Sequence, residues 1–486
     1  MKFFKQLILV SLVFLTVAGC KVGQSYVRPD LGSIDRYYGP LIRPDSTTAS
    51  EIQLASVNWK DYFEDSTLTA LIDIALSNNI ALQREARRIE IGLQTFEQSR
   101  ANFYPDLGVS LFNFRREYYS ENFNNYGSNR SRRNHGEVPP TTLYTENVAF
   151  SSGVFASWEL DLWGKLRWQK EAAQASLMRS QEFQKAVQTS VVAEIASTYY
   201  NMLMVNSQIA VAESNLELGR NTLRIVKLQF QADETTSLAV QQTESQILRA
   251  ASLIPRLERD YLVLENRLNQ LLGRYPQAIN IGQNLEDVLF DDQYVVGVPL
   301  ELIENRPDVA AAEYQLVAAN AQAGITQALK YPSIVLDAGA GLNSFKLDSF
   351  LDPIGSGFAL LNGALFQPIF QNRRLKTDYA IALAQQQVAE LDFRDNVIRA
   401  VQEVSDALVT IEKLREEYAI AQQRIVVASK GVRDASLLFQ SGFANYLEVI
   451  TAQEDALQSE LDLADLKRQI ILSKIELYRS LGGGWQ

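Results

Sequence analysis

The chain carries one long pattern twice, and that duplication limits its fold more than any local motif. A shift of 209 residues carries Phe230 onto Phe439 without a gap. The same shift puts Leu166 on Leu375, Glu194 on Glu403, Gln231 on Gln440, Leu238 on Leu447 and Val240 on Val449. It continues through Leu272 on Leu481 and Gly273 on Gly482. Proline usage agrees, since residues 141–254 and 371–481 contain none. A period this long is far above that of a solenoid unit, so the chain reads as one fold duplicated.

Each copy holds a stretch suited to two very long helices. In the second, apolar residues fall at Val397, Val401, Val404, Leu408 and Ile411, then at Leu414, Tyr418, Ala421, Ile425, Ala428, Val432, Ala435 and Phe439. Steps of three and four keep one stripe facing a partner helix, as a coiled coil requires. At 1.5 Å per residue the arm from Asn372 to Gln440 would run about 100 Å, deeper than any ordinary core. The stripe must therefore pack on its own return arm and on neighbouring chains. The arms break at Gln231-Ala-Asp-Glu-Thr-Thr-Ser237 and at Gln440-Ser-Gly-Phe-Ala-Asn445, which read as hairpin turns. Pro255 falls inside the first return arm, where it deletes a backbone hydrogen bond to Ala251 and predicts a kink.

A shorter helix precedes each long pair. Asp65 or Ser66 can cap one that starts near Leu68 and runs to about Asn102, before Pro105. Asn305-Arg-Pro-Asp308 starts its counterpart, which Tyr331-Pro332 ends. The intervals that follow read as β-hairpins. Val148, Phe150, Val154 and Trp158 alternate with Ala149, Ser151, Gly153 and Ser157. Ile334, Leu336, Ala338, Ala340 and Leu342 alternate with Val335, Asp337, Gly339, Gly341 and Asn343, whereas Phe358 to Gln367 alternates poorly. Such alternation fits a membrane barrel strand and equally any half-buried strand. The loop between Tyr118 and Thr142 holds Arg130, Arg132, Arg133 and the lone His135, and reads as a solvated tip.

The start of the chain has the layout of an export signal. Lys2 and Lys5 precede an apolar run, Leu7 to Val17, too short to span a bilayer. It ends Val17-Ala18-Gly19-Cys20, similar to a bacterial lipoprotein signal whose cysteine becomes the lipidated first residue. Cys20 is the only cysteine, which excludes disulfides within one chain. The formal net charge of −11 disfavours nucleic acid as a partner. One histidine and one cysteine cannot assemble the common zinc or haem ligand sets. No later apolar run is long enough for a membrane helix, so any crossing falls to strands.

Ordered along nearly the whole chain, further motifs carry a resemblance. They are Tyr26-Val-Arg-Pro29, Trp59 with Phe63-Glu-Asp65 and Leu68, and Gly297-Val-Pro-Leu-Glu-Leu-Ile-Glu-Asn-Arg-Pro-Asp308 with Ala312-Glu313. Pro255, Leu272-Gly273, Glu403-Val404 with Ala407-Leu408, Asn445-Tyr-Leu-Glu-Val449 and Leu481-Gly-Gly-Gly-Trp485 complete them. The sequence resembles a TolC-like outer membrane factor of the NodT-type efflux lipoprotein branch. Gln24-Ser25 departs from the residues usual in that branch before Tyr26.

The resemblance implies a mixed α and β membrane protein. Three chains would build a twelve-stranded outer membrane β-barrel, continued by a long periplasmic α-helical barrel. On that plan residues 1–19 are the signal and 20–67 a lipid-anchored belt segment. Residues 68–273 form the first repeat, with its hairpin at about 106–158 and tip at about 231–237. An equatorial linker covers 274–303. Residues 304–481 form the second repeat, with its hairpin at about 333–368 and tip at about 440–445, and 482–486 join the belt.

The implied function is a passive exit duct, with no enzyme chemistry and no cofactor beyond the lipid on Cys20. Implied partners are two further copies, outer membrane lipid, a periplasmic adaptor and an inner membrane pump of the resistance-nodulation-division type. The tips Ala232, Asp233, Ser441, Gly442, Phe443 and Ala444 are expected to contact the adaptor, with Phe443 and Ala444 exposed. Phe439, Glu448 and Thr451 are the expected periplasmic gate. Glu448 stands where three-fold symmetry would form a ring of carboxylates, and Thr451 stands where many relatives carry a second acid. Two alternatives remain open: a duct for an ATP-driven protein exporter, and a periplasmic coiled-coil lipoprotein with a structural role.

Overall fold

The computed structural model describes residues 21–31, 57–120, 144–288 and 305–486. Cys20, His135 with its neighbouring arginines, and residues 289–303 of the linker lie outside them. The chain divides into two compact bodies. One comprises Met1–Val27, Gly92–Ser176 and Leu316–Val388, and the other comprises Arg28–Ile91, Leu177–Gln315 and Ala389–Gln486.

The first body holds a four-stranded antiparallel sheet in sequence order: β1 (Asp106–Ser120), β2 (Tyr144–Leu160), β3 (Ser333–Ser344) and β4 (Gly357–Phe366). Its register sorts side chains by face, because directly paired residues point the same way. Leu107, Ala156, Ala338 and Leu361 align, as do Val109, Val154, Ala340 and Ala359. Trp158 with Leu336, and Leu160 with Ile334 and Leu365, extend that apolar face. The other face carries Asp106, Ser157, Asp337 and Asn362 in one row, and Ser157 Oγ donates to Asp337 Oδ1 at 2.8 Å. Phe155, Phe358 and Leu360 interrupt its polarity, with Phe155 lying across Gly339. A bulge between Ser110 and Asn113 shifts the register of β1, which lets Phe114 rejoin Phe150 on the apolar face. β4 forms despite its poor alternation because β3 pairs with it throughout, from Ser333 opposite Phe366 to Leu342 opposite Gly357.

The residues after Cys20 are fastened to this body. Val22 donates to the carbonyl of Trp163 at 3.0 Å, and its own carbonyl accepts from the buried Trp168 Nε1 at 2.6 Å. Gly324 lies against the Trp168 ring, where an added Cβ would come within 2.4 Å. Lys21 Nζ sits 3.3 Å from the Trp168 ring centre and pairs with Glu171.

The second body begins with α1 (Trp59–Tyr62), α2 (Ser66–Asn78) and the start of α3 (Ile80–Ala101). The sequence predicts one helix from Leu68 to Asn102; the structure breaks it at Asn79. That residue is extended, at φ −60° and ψ 125°. Its Oδ1 accepts from the amides of Ala81 and Leu82 at 2.8 and 3.2 Å, while Nδ2 donates to the Leu271 carbonyl at 2.7 Å. A good capping residue in the middle of a helical pattern has split it. Asp65 caps α2 as expected, through the amides of Thr67 and Leu68. Its second oxygen accepts from Tyr199 at 2.6 Å, and burial together with that carboxylate pushes the phenol's pKa well up.

Two pairs of long helices follow. α4 (Lys165–Gln231) and α8 (Arg374–Gln440) have 67 residues each. α5 (Ser237–Leu271) and α9 (Tyr446–Ser480) have 35 each. α3 and α6 (Pro307–Ala328) have 22 each. Helix α5 runs unbroken past Pro255, and the short α7 (Pro353–Ser356) precedes β4. Each residue of the α8 stripe from Val397 to Phe439 is buried or half-buried. Leu391, Ile398, Ile420, Val427 and Leu438 form a second apolar set on α8 that stays exposed in the single chain.

Candidate functional site: the hairpin tips

Both helical turns close by the same hydrogen bonds. In the first, Asp233 donates to the Phe230 carbonyl at 3.1 Å and Glu234 to that of Gln229 at 2.9 Å. In the second, Gly442 donates to Phe439 at 3.1 Å and Phe443 to Leu438 at 2.8 Å. This is a Schellman closure, which needs a left-handed residue after the helix. Gly442 meets that need at φ 77°, while Asp233 adopts φ 56° with a side chain attached. Thr236 then caps α5 through Ala239, and Asn445 caps α9 through Leu447 and Glu448.

The tips are joined by a small apolar cluster. Val226, Ala239, Phe439 and Val449 are buried together, with Ile225, Val240, Ala435, Ala444 and Tyr446 packed around them. Polar links flank it. Tyr446 donates its hydroxyl to Gln242 Oε1. Farther along, the buried Gln453 Nε2 donates to Thr222 Oγ1 at 2.8 Å, and Asn215 Nδ2 donates to the Gln453 carbonyl at 3.4 Å. Lys227 pairs with Glu244 across the first hairpin at 2.7 Å.

The predicted site residues separate into two groups. Ala232, Asp233, Ser441, Gly442 and Phe443 are exposed, and Phe443 is 83% exposed. Ala444 is corrected: it is half-buried, because the turn folds it back onto the tip cluster. Phe439 is 6% exposed and packs in the cluster that joins the two hairpins. Glu448 and Thr451 are exposed. Glu448 Oε1 accepts from Asn445 Nδ2 at 3.1 Å in the first turn of α9, a position that favours a carboxylate. Sequence reasoning missed the Tyr446–Gln242 and Gln453–Thr222 links. The one signal was Gln453, a polar side chain at a buried helix position.

A second polar cluster, also in the second body, surrounds Arg306. Its Nη1 donates to Glu403 Oε2 and to the Ser480 carbonyl, both at 2.9 Å, and its Nε and Nη2 pair with Asp308. Arg479 reaches the same Glu403 oxygen at 3.2 Å. Burial opposes the charge on Arg306, but Asp308 and Glu403 outweigh it and raise its pKa. Among the described residues no group of histidine, cysteine or carboxylate side chains is placed to hold a metal ion.

Comparison with known proteins gives this geometry its family. The sequence model described as "Outer membrane efflux protein" matches residues 71–274 and 298–483. The chain is 28% identical to the "Cation efflux system protein CusC" of Escherichia coli O6:H1, over 98% of each chain. It is 26% identical to the "Probable outer membrane lipoprotein SilC" of Salmonella typhimurium, over 99% of each. A solved CusC structure superposes with a TM-score of 0.80 at 25% identity, covering 96% of this chain and all of that one. The chain belongs to the outer membrane efflux protein family.

Proposed function

We propose that three copies of this chain form the outer membrane exit duct of a tripartite efflux system. The observation that carries the reading is the sheet. One face is apolar and exposed, with Leu107, Val109, Val154, Leu361 and Leu365 each more than half exposed. β1 and β4 each pair on one side only, among the described residues. An open edge and an apolar face are both unstable in a lone chain. Closure with copies in lipid removes both problems, since only a closed barrel satisfies every strand in a bilayer. Four strands cannot enclose a lumen, as eight already give an interior that side chains fill. Three chains give twelve.

On this reading the two halves are a duplicated fold, and the exposed set Leu391, Ile398, Ile420, Val427 and Leu438 meets a neighbouring copy in the helical tunnel. Acyl chains on Cys20 hold each chain to the inner leaflet. The exposed turns at Asp233 and Gly442 receive the periplasmic adaptor, and an inner membrane pump of the resistance-nodulation-division type supplies the solute. The duct is passive, and its cargo is small toxic solutes selected upstream.

Planar-bilayer recording of the purified protein tests this, combined with native mass measurement and a growth-inhibitor panel on a deletion strain. Three chains, stepwise conductance and inhibitor sensitivity are expected. A monodisperse single chain that still conducts would overturn the trimer. Unchanged inhibitor tolerance with lost secretion of a protein would favour the exporter reading.

A further inference from the structure

The end of β4 changes abruptly from apolar to basic. Leu365 and Phe366 close the strand, Ile369 and Phe370 follow, and all four side chains are exposed, Ile369 by 95%. Arg373, Arg374 and Lys376 come next, also exposed. Lys330, just beyond α6, joins them. Its Nζ stands 3.5 Å from the centre of the Tyr379 ring, and Gln367 Nε2 donates to its carbonyl at 3.2 Å. Burial and the nearby charge of Lys376 both lower the pKa of the Lys330 ammonium, so the two cations repel one another.

None of these four cations makes an ion pair among the described residues. Arg374 Nη2 donates to Gln371 Oε1 at 2.7 Å, an uncharged partner. Two turns or more farther along α8, by contrast, Arg394 pairs with Glu390 and Arg399 with Asp395. In a chain of net charge −11, four cations with one carboxylate, Asp378, among them in sequence and no ion pair to it mark a place complementary to an external anion. An anion alone would not need the apolar strip beside them. A phosphodiester joined to acyl chains fits both, because a guanidinium fork matches phosphate and the strip matches hydrocarbon. Clusters of lysine and arginine at a bilayer surface select anionic lipids in this way.

We propose that Lys330, Arg373, Arg374 and Lys376 hold the phosphodiester of phosphatidylglycerol, whose acyl chains lie along Leu365, Ile369 and Phe370. The proposal rests on the sheet being a membrane wall, and places this level of the chain at a headgroup boundary.

Native mass spectrometry of the purified full chain, offered equal amounts of phosphatidylglycerol and phosphatidylcholine, tests it. The wild-type trimer is expected to retain phosphatidylglycerol in preference by about tenfold or more, given roughly 1 kcal/mol per basic residue at a membrane surface. The variant Lys330→Gln, Arg373→Gln, Arg374→Gln, Lys376→Gln should lose the preference, and the pair Arg373→Lys, Arg374→Lys should keep most of it. A set with the same charge change elsewhere, Arg84→Gln, Arg249→Gln, Arg256→Gln, Arg433→Gln, should keep all of it. A trimer indifferent to headgroup would overturn the site alone, as would equal loss in the control set. Displacement by millimolar inorganic phosphate would make it a plain anion site and overturn the lipid. A single chain in the same spectrum would refute the barrel reading and the site with it.

Discussion

Arg306 Nη1 donates to the carbonyl oxygen of Ser480, the last residue of α9, at 2.9 Å. At the matching place in the first half, Asn79 Nδ2 donates to the carbonyl of Leu271, the last residue of α5, at 2.7 Å. Both donors stand just before a 22-residue helix, and both acceptors are carbonyls that the helix end leaves without an intrahelical partner. The following glycine completes each joint. Gly273 packs against Asn78 and Gly482 against Asn305, so closely that a Cβ would lie 2.3 and 2.4 Å from those carbonyl oxygens. The two halves thus use different side chains for one task, and only the second spends a charge on it.

Removing that charge should cost more than removing the amide. Arg306→Leu takes the guanidinium from Asp308 and from the Ser480 carbonyl, and leaves Glu403 with Arg479 alone. Breaking a buried pair in this way costs about 3–5 kcal/mol. Because Asp308 and Glu403 are 42% and 26% exposed, solvent screening puts the effect at about 3 kcal/mol. Asn79→Ala loses one cap and one carbonyl partner, about 2 kcal/mol. Thermal unfolding of the detergent-solubilised protein would show both losses. An Arg306→Leu protein as stable as wild type would refute the account.

Acid should abolish part of this stabilisation. Burial alone would raise the carboxyl pKa of Asp308, but the hydrogen bonds and charge of Arg306 outweigh it and lower the value. A carboxyl with a folded pKa below its unfolded one adds stability above the unfolded value, near pH 3.9, and loses it as pH falls through the folded value. The gap in melting temperature between wild type and Asp308→Asn should therefore hold from neutral pH to about pH 5 and close below about pH 4. A gap that widens in acid would contradict the sign.

Backbone strain separates the glycines. Gly442 and Gly482 both lie in the left-handed region, at φ 77° and 92°. A Cβ on Gly442 would meet nothing within 4 Å, whereas one on Gly482 would meet the Asn305 carbonyl. Gly442→Ala should cost about 1 kcal/mol, the ordinary penalty for that backbone. Gly482→Ala should cost at least twice as much, because packed backbone must also move. Asp233→Gly should be neutral or slightly stabilising. Equal melting temperatures for the two alanine variants would show that the joint at Asn305 is looser than it looks.

Much of the fold was legible because its signals repeat over long distances. The absence of proline, the stripe from Val397 to Phe439 and the breaks at Gln231 and Gln440 located the long helices. Periodicity could not locate the break at Asn79, since one residue's choice to cap rather than continue leaves the apolar pattern intact. Phe439 shows the limit at the tips. Its place in the stripe told that it faces a partner, but not that the partner is Val226, Ala239 and Val449 of the same chain. The bond made by Tyr446 is illegible for a related reason: its hydroxyl donates to Gln242, 204 residues away. Only chain pairing brings them together.

Glu448 offers the last test, and its local role makes the test clean. Its Oε1 accepts from Asn445 Nδ2 at 3.1 Å, within the cap of α9. Glutamine can accept the same bond, so Glu448→Gln keeps the cap and removes the charge. If three copies close the tips around an axis, three Glu448 carboxylates there would favour cations and resist anions. Thr451, one turn farther on, adds no charge to such a ring. Glu416 is the control, since it pairs with Lys413 at 2.9 Å on an exposed stretch of α8. Under a salt gradient, the reversal potential of Glu448→Gln channels should move toward zero, while that of Glu416→Gln stays near wild type. Identical potentials for Glu448→Gln and wild type would leave Glu448 as a helix cap alone.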